Sequence, residues 1–204
     1  MQWNQRIVIL VGVSLLMATL GSVTVDAGSG KTIGKNPGKI KGRWLRVESV
    51  EALKEAKGVY IGDLVSDIQW KRAENEAPLD EELLDEYFHD QLSMNLKSTS
   101  FFGEYLESAP AEGAEGIVRL DCKIEVEPGS RTARYLVGFG AGKSRSILEL
   151  TLIDHATGEE LGLYHGYGVG SGMGFKLVGG TARKMTQDDI QENTKRFIEL
   201  LDQL

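Results

Sequence analysis

The sequence predicts an α+β domain, a mostly antiparallel sheet with two main helices packed on one face. Three observations carry that expectation. Residues 116–126 alternate apolar and polar side chains, the period of a strand with one buried and one wet face. Residues 79–97 and the stretch after Thr186 repeat apolar side chains every three or four positions, the period of an amphipathic helix. Further strand-like runs fall between those helices, so the order is strand, helix, several strands, helix. The composition agrees. With 41% hydrophobic and 26% charged residues, the 204 positions suit one globular domain and exclude a disordered chain, a collagen or a multi-span membrane protein.

At the N-terminus Arg6 is the only charged side chain before Asp26, and an apolar and small-residue run fills 7–20. Val25-Asp26-Ala27 offers acceptable side chains at the two positions a signal peptidase reads. Residues 1–27 therefore read as a signal peptide cleaved after Ala27, which places the protein in the periplasm or outside the cell. An uncleaved inner-membrane anchor is the alternative, since 7–25 just spans a bilayer of about 30 Å. Cys122 is the only cysteine, so no intramolecular disulfide forms, and none stands at the cut to accept a lipid.

In residues 28–43 a glycine followed by a cation recurs every four positions, with Lys31, Lys35, Lys39, Lys41 and Arg43 and no acid. This is expected to be a flexible, basic linker. A weak contact with anionic lipid or wall polymer is the functional alternative to a merely solvated tether. Residues 1–27 are neutral, so of the net charge of −7 the remaining domain, 44–204, carries −12. Such a domain is not expected to bind nucleic acid.

Within that domain, 57–70 reads as a strand through Val59, Ile61, Val65 and Ile68, with a bulge at Gly62. Pro78 opens the first helix, whose acidic first turn suits the helix dipole. Leu79, Leu83, Leu84, Tyr87, Phe88, Gln91 and Met94 form its packed face, and Glu82, Asp85, Glu86, His89 and Lys97 its wet one. In 116–126, Val118, Leu120, Cys122, Ile124 and Val126 point inward, so Cys122 is a buried small hydrophobe rather than a reactive thiol. Residues 131–139 and 145–154 are the next strands. A turn at 154–159 leads into Leu161, Leu163 and Tyr164 as a hairpin. Thr186 is expected to cap the last helix with Asp189 at its third position, and Ile190, Thr194, Phe197, Ile198, Leu201 and Leu204 form its stripe.

Catalytic motifs fail in turn. Gly30-Lys31-Thr32 and Gly142-Lys143-Ser144 imitate a phosphate-binding loop, but Val25 and Val137 stand where its first glycine belongs. The second also runs into a strand rather than a helix N-terminus that would hold phosphate. Ser171 lacks the glycine spacing of a nucleophile elbow. His89, His155 and His165 share no metal-ligand spacing. No cofactor and no metal are expected. Twelve of the 25 glycines lie between 138 and 180. Glycine at alternate positions strips one face of a strand, which suits either close packing within the fold or a partner surface.

The central segment resembles a bacterial family, domain of unknown function 4410. The residues that carry the resemblance are Gly129 to Ser144, with Arg131, Arg134, Gly138, Gly140 and Gly142, then 148–154 and the Asp154, Thr157 and Gly158 turn. The resemblance implies an exported envelope protein without an assigned role, often a lipoprotein, and a fold similar to the periplasmic domains of the curli secretion pore and the Tol system. The expected function is a non-enzymatic binding or assembly module. It would act through a sheet edge and the glycine-rich segments 138–144 and 166–180, on an envelope protein or on itself. Arg131, Arg134, Lys143 and Arg145 flank the signature and suit an anionic partner. The alternative is a periplasmic hydrolase or carbohydrate-modifying enzyme using Asp154, His155 and His165.

Overall fold

The computed structural model describes residues 30–69, 80–127, 144–169 and 182–204. In chain order these form β1 (Lys31–Lys35), β2 (Arg43–Val47), α1 (Val50–Lys54), β3 (Gly58–Ile68), α2 (Glu81–Ser98), β4 (Ile117–Glu127), β5 (Arg145–Asp154), β6 (Glu160–Val169) and α3 (Ala182–Leu201). The strands make one six-stranded sheet in the order β1-β2-β6-β5-β4-β3. Every neighbouring pair is antiparallel except β3 with β4. That parallel pair needs a crossover, and α2 is part of it. The fold is thus mixed α and β with a mostly antiparallel sheet. The expected signal peptide and the 131–139 strand lie outside the described residues.

Alternation sets the sheet's two faces. Val118, Leu120, Cys122, Ile124 and Val126 of β4 and Leu148, Leu150 and Leu152 of β5 are all buried on one side. Cross-strand pairing aligns them, Cys122 with Leu150 and Ile124 with Leu148. Helices α2 and α3 pack on this side and on each other, α2 over β3 and α3 over β2, β6 and β5. In β3 the register shifts between Ile61 and Leu64, the bulge expected at Gly62.

Three elements differ from expectation. Asp80 caps α2, its carboxylate accepting from the Glu82 amide at 3.1 Å. The packed face then runs through Leu84, Phe88, Leu92 and Leu96, while Leu83 and Met94 are 41% and 52% exposed. Both readings have a helical period, and the one centred on the sheet wins. Helix α3 starts at Ala182, because its first residues are helix formers with no breaker among them. Thr186 is therefore a wholly buried residue within the helix, not its cap. Within 28–43, the stretch expected to be a linker, 31–35 form β1, paired with β2 from Lys31–Val47 to Lys35–Arg43. Gly34 permits this with φ +117, a conformation other side chains resist.

Candidate functional site

Of the residues singled out in the sequence, Asp154, Thr157 and Gly158 build the β5–β6 turn. The Asp154 carboxylate accepts from the Thr157 amide at 2.8 Å, and the Thr157 hydroxyl accepts from the Glu159 amide at 3.2 Å. The Gly158 amide donates to the Asp154 carbonyl at 2.8 Å, with Gly158 at φ +76. Their hydrogen bonds are spent on shaping the turn. Arg131, Arg134, Gly138, Gly140, Gly142 and Lys143 lie outside the described residues. Arg145 pairs with Glu127 at 3.2 Å.

His155 and His165 have separate surroundings. His155 Nδ1 lies 2.9 Å from the Tyr60 hydroxyl, and its Nε2 lies 3.1 Å from the Ala111 carbonyl. His165 stacks on Trp44, with ring centroids 5.4 Å apart. Its nitrogens reach Glu149 at 3.2 Å and the Ile40 carbonyl at 2.9 Å. Asp154 and Glu149 are five residues apart on β5, roughly 17 Å at the rise of a strand. Asp154, beside His155, is therefore far from the group that faces His165, and the two histidines do not assemble one catalytic centre.

The sequence did not reveal a buried polar cluster between α3 and the sheet. Gly162, Tyr164, Gly166 and Gly168 lie on the helix-facing side of β6, paired with Leu152, Leu150, Leu148 and Ser146. A side chain at Gly166 would collide with the Tyr164 ring. At Gly168 it would meet the Ser146 hydroxyl and the Asn193 amide. The space these glycines leave is filled from within. Tyr164 donates to the Asn193 carbonyl at 3.0 Å, and Asn193 Nδ2 donates to Ser146 at 3.3 Å. Ser144 donates to the Asp189 carboxylate at 2.9 Å. Burial pushes the Asp189 carboxyl up from 3.8 to about 6, against the Ser144 hydrogen bond. Asn193 Oδ1 is buried without a hydrogen-bond partner. The signal in the sequence was present: Asp189 and Asn193 lie one turn apart, on the face of Ile190 and Phe197.

The remaining feature is an open sheet edge. The start of β3 is covered, because Val59 exchanges backbone hydrogen bonds with Glu104 and Leu106 at 2.9 Å each. From Gly62 to Ile68 no described strand pairs on the outer side of β3. Val65 in the middle of this run is 56% exposed, flanked by exposed Asp63 and Asp67. Backbone donors and acceptors, one apolar side chain and two carboxylates thus face outward on a strand held rigid by β4.

A two-layer α+β domain with a parallel edge strand left open among the described residues and a tightly turned β5–β6 hairpin is the class of protein these features define. The model of the family described as domain of unknown function 4410 matches residues 53–171, and the chain belongs to that family. Among solved structures, it is similar to the PelC dodecamer from Paraburkholderia phytofirmans, at 14% identity and a TM-score of 0.41, covering 74% of this chain and 96% of that one. It is also similar to a protein of domain-of-unknown-function family 330 from Xanthomonas campestris, at 8% identity and a TM-score of 0.39, covering 81% of this chain and 87% of that one. No curated protein matches.

Proposed function

We propose that this chain is an exported, non-enzymatic binding or assembly module of the cell envelope that works by accepting a strand at the free edge of β3. The observation that carries the reading is the unpaired run 62–68 with Val65 exposed at its centre. Strand addition draws affinity from main-chain hydrogen bonds and specificity from alternate side chains, and this edge supplies both. The inward packing of Gly166 and Gly168 supports the same choice, since that face of β6 is already occupied. Export rests on the character of residues 1–27. Among the described residues no helix is long and apolar enough to cross a membrane.

The test is a photo-crosslinking amino acid at Val65, with Leu163 on the outer face of β6 as control, in cells making the full chain. The expected result is a discrete adduct at Val65 that is missing at Leu163, and missing again when Ser66→Pro disrupts the edge. No adduct at Val65, or equal labelling at both positions, would overturn the reading.

A further inference from the structure

We propose that the partner at the β3 edge is a second copy of this chain, whose β1 docks head-to-tail against it. This deepens the edge reading above and rests on it. The sheet ends in two edges among the described residues, β1 and β3, and on the helix-covered side the lysines of β1 are matched by acids of the helix over β3. On β1, Lys31 and Ile33 pair with Val47 and Leu45 of β2, both buried in the core, so Lys31, Ile33 and Lys35 stand on the helix-covered side. On β3, Leu64, Ser66 and Ile68 pair with Cys122, Ile124 and Val126, which places them on that side too.

Over β3 lies α2, and its outward flank is acidic. Asn95 turns toward α3, donating to Thr194 at 3.0 Å. At about 100° per residue, Glu82, Asp85 and His89 fall on the other flank, above the free edge. Asp85 Oδ1 is buried there with no hydrogen-bond partner. A β1 strand laid along 62–68 so that the sheet continues puts Lys31 and Lys35 on the side of the sheet where Glu82 and Asp85 lie. It sets Ile33 beside Leu64 and Ser66, and Thr32 beside the exposed Val65. Five residues of β1 fit within the seven of the open run. Among the described residues Lys31 Nζ reaches an exposed carbonyl, that of Gln203 at 3.1 Å, and Lys35 is exposed. Edge lysines and a bulge also blunt indiscriminate pairing. What exceeds blunting is the matched opposite sign at the far edge, which attracts one orientation and repels β1–β1 and β3–β3 contacts. The contact is heterologous, so repetition gives a ring or a filament.

Sedimentation velocity of the full chain tests this, in a mild nonionic detergent that suppresses contacts through residues 7–20. The wild type is expected to associate at low salt and to dissociate as salt is raised, because rim charges are screened within about 10 Å at 0.1 M. Lys31→Glu with Lys35→Glu, and separately Glu82→Lys with Asp85→Lys, are each expected to weaken association about tenfold or more. A one-to-one mixture of the two variants is expected to restore it. A wild type that stays monomeric, variants that associate like it, or a mixture without rescue would each overturn the proposal. An adduct from Val65 to a different polypeptide, with a monomeric wild type, sinks self-association while leaving the edge reading intact. No adduct and no association sink both.

Discussion

Replacing Asp189 by asparagine tests the buried cluster most sharply. The Asp189 residue is 6% exposed, and the Ser144 hydroxyl donates to its carboxylate at 2.9 Å. Desolvation is the largest influence on its carboxyl, followed by the Ser144 hydrogen bond, which opposes it. Smaller effects come from Glu192 and Asp188, which raise its pKa, and from Arg43, which lowers it. In the unfolded chain the group titrates near 3.8, and in the folded one at about 6. Between those values the folded state binds more protons, so stability falls as pH rises from about 4 to 6 and is level beyond. The difference corresponds to roughly 3 kcal/mol. Asp189→Asn keeps an oxygen for Ser144 to donate to and removes the ionisation. Urea unfolding of both chains from pH 4 to pH 8 is the assay. The variant is expected to be level with or below the wild type near pH 4 and more stable at pH 7, with the whole gain appearing between about 4 and 6. In melting temperature that gain is on the order of 5–10 °C. A difference profile that is flat across this window, or an asparagine variant less stable at pH 7, would falsify the claim that burial costs the charged form.

The remaining predictions concern packing and processing. Gly168→Ala is expected to cost about 1–3 kcal/mol by overpacking against Ser146 and Asn193, read in the same urea assay. Gly158→Ala meets open space but keeps φ +76, so its cost is expected to be backbone strain alone, about 1 kcal/mol. Cys122 is buried, and burial together with the Asp121 charge raises its thiol well above the ordinary value. Maleimide labelling is expected to follow global unfolding, and fast labelling of the folded chain would refute this. Mass spectrometry of the chain recovered outside the cytoplasm is expected to find Gly28 at its N-terminus, and an intact Met1 would favour the anchored alternative.

Strictly local patterns were legible from the residues alone. The alternation of 118–126 fixed which side of β4 is buried, and that strand needed no knowledge of its neighbours. The span 145–154 coincides with β5, and the Asp154–Gly158 turn with its hairpin. Choices settled by tertiary context were not legible. Two overlapping apolar stripes exist on α2, and only the position of β3 beneath it and α3 beside it selects Leu92 and Leu96 over Leu83 and Met94. Thr186 has the chemistry of a cap, but the helix formers before it extend α3 past that point. Residues 31–35 carry the glycines and lysines of a tether, and pairing with β2 makes them a strand. Asp189 resembled a helix-start acid until the longer helix turned it inward.

The glycines show why function moves to the sheet edges. Stripping side chains from one face of β6 leaves a groove, and a groove invites either a partner or the protein's own helix. Here the helix takes it: the Tyr164 ring lies over Gly166, and Ser146 and Asn193 crowd Gly168. The opposite face of β4 is no freer, since its charges are already paired, Lys123 with Glu125 at 2.7 Å and Arg119 with Asp121 at 3.0 Å. An incoming chain would have to break those pairs and desolvate them. At the outer side of 62–68 nothing described has to be displaced, because its backbone groups face outward and Val65 is exposed. Strand addition there exchanges water for main-chain hydrogen bonds and covers an apolar side chain, so the edge of β3 is the surface where binding has the least to undo.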